Sequence, residues 1–140
     1  MTKLNKMHMG LASALILISG VVEAHTLTGS IPASKTAMVK WKATCPAPTQ
    51  KMIFRLQQAQ AKKFAVSLTV TAGDKTATVV TSKMAKIWTP FAEVPAGAGD
   101  YILSLTKSGA NASGAIAYTI QEHCDDAGKE IPQKKPVRVR

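Results

Sequence analysis

Two stretches in the C-terminal third of the chain alternate between large apolar residues and smaller or polar ones, and this pattern constrains the fold more than any other feature. In residues 101–106 and 116–121, every second position is aromatic or branched aliphatic. A period of two predicts β-strands that each bury one face. Residues 107–114 between them are rich in Ser, Gly and Asn, which predicts a loop.

The same alternation recurs upstream at short intervals, and almost no segment has helical periodicity. It predicts strands over residues 37–45, 51–57, 64–71 and 76–82. Residues 25–36 favour a short leading strand or an extended arm, and residues 83–91 favour a strand that ends at Pro90. Gly73 and Asp74 predict a tight hairpin. Short strands separated by turns predict an all-β fold, an antiparallel β-sandwich of the jelly-roll or immunoglobulin-like type.

The chain contains two cysteines, Cys45 and Cys124, at the ends of two predicted strands. Each has the parity of the apolar residues of its own strand, so both side chains should point into the core. An oxidising compartment allows them to pair, and two thiols are too few for a structural zinc site. The pattern therefore predicts one disulfide that links an early strand to the last strand of the sandwich.

The first 24 residues have the composition of a secretory signal peptide. Lys3 and Lys6 precede a short apolar run, and Ala24 suits the last position before cleavage. The run is shorter than the roughly 20 residues that a membrane helix needs, and an uncleaved anchor is the alternative. We expect the mature chain to be periplasmic or secreted and to have no transmembrane segment. The expected parts are a signal peptide over 1–24, a β-sandwich over 25–124 and a disordered basic tail over 125–140.

One stretch of the sequence resembles a known type of secreted domain. Phe91 and the run V-P-A-G at 94–97 precede the strand sequence D-Y-I-L-S-L at 100–105. This arrangement resembles the penultimate strand of secreted bacterial β-sandwich modules of the pre-peptidase C-terminal type, and it covers about a quarter of the mature chain. The resemblance implies a jelly-roll-like domain that accompanies exported hydrolases without being catalytic itself.

No combination of residues in the sequence predicts catalysis. After residue 24 the chain has two histidines, His25 and His123, and no G-x-S-x-G motif. The acidic residues are few and scattered. Gly97 and Gly99 lie between predicted strands rather than before a helix, where a phosphate-binding loop would place them. We therefore expect a protein that is not an enzyme.

A copper site is the one specific chemistry that the histidines allow. Cleavage after Ala24 would make His25 the N-terminal residue, whose α-amine and ring nitrogen could together chelate Cu(II). His123, on the outer face of its strand by parity, is the remaining candidate for a second ring. The arrangement resembles the copper-binding N-termini of periplasmic copper carriers and lytic polysaccharide monooxygenases. The alternative interpretation is an incidental N-terminal residue at His25 and an exposed strand-end residue at His123.

The chain is strongly basic, with 18 Lys and Arg against 8 Asp and Glu and a formal net charge of +10. Such an excess attracts anionic surfaces, and for an exported protein these are lipids or polysaccharides of the envelope. Nucleic acid is not expected as a partner, because no aromatic stacking platform accompanies the lysines. The alternative is that the charge only keeps the surface solvated. The sequence thus predicts a non-catalytic binding or structural module of the bacterial envelope.

Overall fold

The structure is a computed structural model that describes residues 25–109 and 112–140. The predicted signal peptide, residues 1–24, lies outside the described residues. The described residues form ten β-strands and no helix, so the predicted all-β class is confirmed. The strands are β1 (His25–Ile31), β2 (Met38–Cys45), β3 (Lys51–Gln58), β4 (Ala65–Ala72), β5 (Lys75–Val80), β6 (Ala92–Val94), β7 (Gly99–Ser108), β8 (Ile116–Asp126), β9 (Lys129–Ile131) and β10 (Val137–Val139).

The strands form two five-stranded sheets that pack face to face, and every pairing is antiparallel. The first sheet has the order β1-β8-β3-β6, and β9 extends it beside β8. The second sheet has the order β10-β2-β7-β4-β5. The chain passes from one sheet to the other at most of its connections, so the loops collect at the two ends of the sandwich.

The core follows from the period of two in the sequence. Alternate side chains of β2, β3, β4, β7 and β8 face the core, and those of the opposite parity are partly or fully exposed, except for the buried Ala65 and Asp125. The largest fully buried side chains come from both sheets and include Leu27, Phe54, Leu68, Tyr101 and Tyr118. Cys45 and Cys124 lie among them and form a disulfide that joins β2 of one sheet to β8 of the other. The predicted bridge between the two layers is confirmed.

Two local predictions resolve differently. The leading segment is a strand, because β1 pairs with β8 over its whole length. Residues 81–91 form a loop instead of the predicted strand, although the amide of Thr89 donates to the carbonyl of Leu56 at 2.9 Å. The loop runs along the edge of β3 and makes only isolated hydrogen bonds to it. Alternation in the sequence cannot distinguish such a segment from a strand with a regular hydrogen-bond ladder.

The prediction that residues 125–140 are a disordered tail is wrong. β9 pairs with β8 and β10 pairs with β2, so the tail contributes a strand to each sheet. Ile131 and Pro136 are buried, and the side-chain carbonyl of Gln133 accepts a hydrogen bond from the amide of Cys124 at 2.8 Å. A polar, basic composition predicted disorder because composition is local, whereas the unpaired edges of β2 and β8 that bind these strands are created by distant parts of the chain. The folded domain therefore extends to residue 139.

A close approach between β1 and β8 makes Gly29 a sensitive position. Gly29 pairs with Tyr118, and a Cβ at this site would lie 2.5 Å from the Tyr118 hydroxyl oxygen. That hydroxyl accepts a hydrogen bond from Nε1 of Trp41 at 3.0 Å, so the ring cannot move aside without losing it. We expect Gly29→Ala to lower the free energy of unfolding by about 1–3 kcal/mol. Chemical denaturation measures this, with the exposed neighbour Ser30→Ala as a control that should be near neutral. Equal stability of the two variants would contradict the steric argument.

Candidate functional site: the basic end of the sandwich

Four loops meet at one end of the sandwich because the strands that they connect end there. They span residues 32–37, 59–64, 81–91 and 109–115, of which 110 and 111 are not described. Pairings at the strand ends bring the four loops to the same end, because Ile31 lies opposite Ile116, Met38 opposite Thr106, Ala65 opposite Ser108 and Ser67 opposite Val80. We call these loops the basic end, because they carry Lys35, Lys62, Lys63, Lys83 and Lys86, of which Lys62 is half-buried and the others are exposed.

The acidic residues lie elsewhere. Among the described residues, no Asp or Glu lies in the four loops. Most of the acidic side chains lie at the opposite end of the sandwich, in the β4–β5 turn, at the start of β7 and around the β8–β9 turn. The others lie on β6 and β8, nearer to that opposite end than to the basic end. They are Asp74, Glu93, Asp100, Glu122, Asp125, Asp126 and Glu130. The sandwich is therefore electrically polar, with an excess of positive charge at one end.

Backbone hydrogen bonds hold the lysine-bearing loops side by side. The amide of Lys62 donates to the carbonyl of Lys83 at 3.1 Å, which joins the second loop to the third. The amide of Gly114 donates to the carbonyl of Ala33 at 2.9 Å, which joins the fourth loop to the first. The positions of the lysines are thus set by the scaffold rather than left to independent loops.

A buried ammonium group lies beneath these loops. Lys107, at the end of β7, donates from Nζ to the carbonyl of Pro32 at 2.6 Å and to that of Gly114 at 2.8 Å. Its Nζ also lies 5.7 Å from the centroid of the Phe64 ring. Burial lowers the pKa of this ammonium group, and the two carbonyls satisfy it without a carboxylate. Lys107 therefore ties two of the loops together and adds positive charge behind the exposed lysines.

The surface at the basic end can receive anionic groups. A shallow cavity of about 260 Å³ lies among Lys62, Lys63, Phe64 and Ser113. Lysine ammonium groups and a serine hydroxyl are donors that suit a phosphate or carboxylate oxygen. The arrangement can therefore bind anions, whereas the described residues of these loops present no nucleophile paired with a base.

Next to the basic end, an arginine is stacked against two aromatic rings on the outer face of the first sheet. The guanidinium carbon of Arg55 lies 4.4 Å from the centroid of the Trp88 ring and 4.5 Å from that of Phe91. Nε of Arg55 donates to the side-chain carbonyl of Gln121 at 2.7 Å. Because Trp88 and Phe91 belong to the 81–91 loop, these contacts hold the C-terminal part of that loop against β3.

The two predicted metal ligands lie on opposite faces of the first sheet. His25 pairs with Glu122 and shares the inner face with Leu27, and its Nδ1 lies 3.1 Å from Oε2 of Glu122. His123 alternates with buried neighbours and lies on the outer face, with Nε2 3.7 Å from Oδ1 of Asp125. Residues 25–109 and 112–140 contain no cluster of three or more potential ligands for a metal ion. The copper site stays a prediction. The structure does not bring the side chains of the two histidines together on one face of the sheet.

Glu122 is the residue that sequence reasoning missed. Its side chain is fully buried, and Nε2 of Gln133 donates to its Oε1 at 3.1 Å. Burial raises the pKa of Glu122 to about 7, an effect that the Gln133 hydrogen bond opposes and the negative charge of Glu130 reinforces. The signal was present in the sequence, because Glu122 has the same parity as Ile120 and Cys124. A carboxyl group at an inward position predicts a partner and a perturbed pKa.

Fold and site together define a small, disulfide-bonded β-sandwich with a basic loop end. No protein-family model matches the chain, and no curated protein matches it, so the resemblance to the pre-peptidase C-terminal type stays a prediction. Among solved structures, the chain is similar to one described as "EclA C-terminal domain; sugar-binding protein", with 14% identity and a TM-score of 0.44 over 73% of this chain and 81% of that chain. This similarity assigns neither a family nor a ligand. In the part of the chain that is described, no helix is long and apolar enough to cross a membrane.

Proposed function

We propose that this protein is an exported, non-catalytic module that binds anionic material of the bacterial envelope through its basic end. The observation that carries the proposal is the separation of charge, with five lysines in four adjoining loops and every described acidic residue outside them. A lysine cluster without intervening carboxylates creates a positive field that draws in phosphate or carboxylate groups. The burial of the disulfide and the hydrogen bonds between the loops support a rigid presentation of this field.

The proposed binding is electrostatic, so salt should weaken it. Exposed charges are screened over about 8–10 Å at physiological ionic strength. Both anionic lipid headgroups and acidic polysaccharides offer the required chemistry. Suitable probes are vesicles of equal parts phosphatidylcholine and phosphatidylglycerol, and soluble polygalacturonate.

Removing charge at the basic end should weaken binding to these probes. We expect Lys62→Gln/Lys63→Gln to reduce affinity by about 30-fold at low salt, since each lysine near an anionic surface contributes about 1 kcal/mol. Calorimetry or co-sedimentation measures the change. The matched control is Lys75→Gln/Lys129→Gln, which removes the same charge from the other end and should cost much less. Equal losses in the two variants, or no binding of the wild-type protein to either probe at low salt, would refute the proposal.

A further inference from the structure

The loop over residues 81–91 exposes an unusual amount of apolar surface at the basic end. Met84 is 59% exposed, Ile87 51% and Phe91 55%, and Val80, the last residue of β5 before the loop, is 51% exposed. Four of the six large exposed apolar residues of the described chain lie in this short stretch. Clustered apolar side chains on a surface mark an interaction site, whereas scattered ones need no explanation.

The loop is held in place, so this exposure is not a frayed end. The hydroxyl of Thr81 accepts a hydrogen bond from the amide of Val66 at 2.9 Å, and the amide of Lys86 donates to the carbonyl of Gln58 at 2.8 Å. Lys83 and Lys86 have φ angles of 78° and 56°, a left-handed conformation that is uncommon outside glycine. A conformation of this kind persists only where the surrounding contacts impose it.

The sequence of the loop alternates charge with apolar surface. Lys83 and Lys86 are exposed and flank Met84, Ile87 follows directly, and Trp88 comes next. The loop is therefore basic and apolar within a few residues, and it adjoins the lysines of the 59–64 loop through the hydrogen bond from Lys62 to Lys83. The positive charge and the exposed apolar side chains lie close enough together to contact one partner, which would have to be anionic and able to bury apolar side chains.

We propose that the basic end docks on an anionic lipid bilayer, with Met84 and Ile87 inserted at the boundary between headgroups and acyl chains and the lysines in contact with the headgroups. The proposal rests on the proposed function and names lipid as the source of the anionic groups. A soluble acidic polysaccharide offers carboxylates and hydroxyls but no medium that buries an exposed aliphatic side chain. A bilayer supplies both terms, apolar burial and attraction to anionic headgroups.

The aromatic residues of the loop fit this position. Tryptophan is enriched at the boundary between water and lipid because its ring is apolar and its N–H is polar. Trp88 is half-buried, and its contact with Arg55 places a cation beside the ring. Trp88 and Arg55 should therefore lie at headgroup depth, farther from the bilayer centre than the more exposed Ile87.

The first test compares apolar substitutions that leave the net charge unchanged. We expect Met84→Gln/Ile87→Gln to bind vesicles of equal parts phosphatidylcholine and phosphatidylglycerol about tenfold more weakly than the wild-type protein, with unchanged binding to polygalacturonate. Val137→Gln is the matched control, because Val137 is 55% exposed on β10 outside the loop and should leave vesicle binding unchanged. Thermal unfolding verifies that these surface variants remain folded.

The second test uses tryptophan fluorescence. Vesicles whose acyl chains are brominated close to the headgroups should quench the tryptophan fluorescence of the wild-type protein, and the quenching should disappear in Trp88→Phe, where Trp41 remains. Two results would overturn the lipid inference and leave the proposed function standing, provided that the wild-type protein binds polygalacturonate through Lys62 and Lys63. In the first, the wild-type protein does not bind vesicles. In the second, Met84→Gln/Ile87→Gln binds vesicles as well as the wild-type protein does. Failure of the wild-type protein to bind either probe would remove both.

Discussion

Replacing both Cys45 and Cys124 with alanine is expected to lower the free energy of unfolding by about 4–5 kcal/mol. The bridge spans 79 residues of sequence, so it removes much of the conformational freedom of the unfolded chain. It also joins a strand of each sheet at a buried position, because Cys45 is 1% and Cys124 0% exposed. Small domains are stable by only about 5–15 kcal/mol, so the loss is a large share of the total.

Urea denaturation of the double variant, compared with the oxidised wild-type protein, measures this loss. The wild-type protein unfolded with a reductant present should approach the stability of the variant, because both lack the cross-link. The exposed substitution Ser30→Ala serves as a reference for a neutral change. Two free thiols in the unfolded, non-reduced wild-type protein, or a loss below about 1 kcal/mol, would contradict the role of the bridge.

Glu122→Gln is expected to stabilise the protein at pH 8 by up to about 3 kcal/mol and to leave it unchanged at pH 4. Burial raises the pKa of Glu122 to about 7 in the folded protein, against a usual value of 4.5. The folded state therefore keeps this proton over a range where the unfolded state has lost it. The contribution of Glu122 to stability is fully present below about pH 4.5 and is lost as the pH rises to about 7.

The groups around Glu122 set the details of this pH dependence. The hydrogen bond from Gln133 lowers the pKa of Glu122, whereas the negative charge of Glu130 raises it, and Nδ1 of His25 lies 3.1 Å from Oε2 of Glu122. Glutamine keeps an acceptor for the Nε2 group of Gln133 and cannot ionise. Denaturation of both proteins at intervals from pH 4 to pH 8 measures the difference in stability, with Glu93→Gln, an exposed carboxylate, as control. A difference between wild type and Glu122→Gln that is independent of pH would contradict the assignment.

The strands and the disulfide could be predicted because their signals are local. A period of two identifies a strand from its own side chains, and the parity of Cys45 and Cys124 states which face each cysteine occupies. Parity also predicted the outward position of His123. The same rule applied to Glu122 would have revealed a buried carboxyl group four residues after Tyr118, because the periodicity of a strand does not depend on its partners.

The pairing of strands decided the rest. The lysines of the basic end are spread from Lys35 to Lys86 in the sequence, and only the register of the two sheets brings their loops together. The tail gains its two strands from edges that β2 and β8 leave open, and His25 meets Glu122 because β1 pairs with β8. Local composition carries no information about such distant neighbours, since strand order depends on how apolar faces pack across the whole domain.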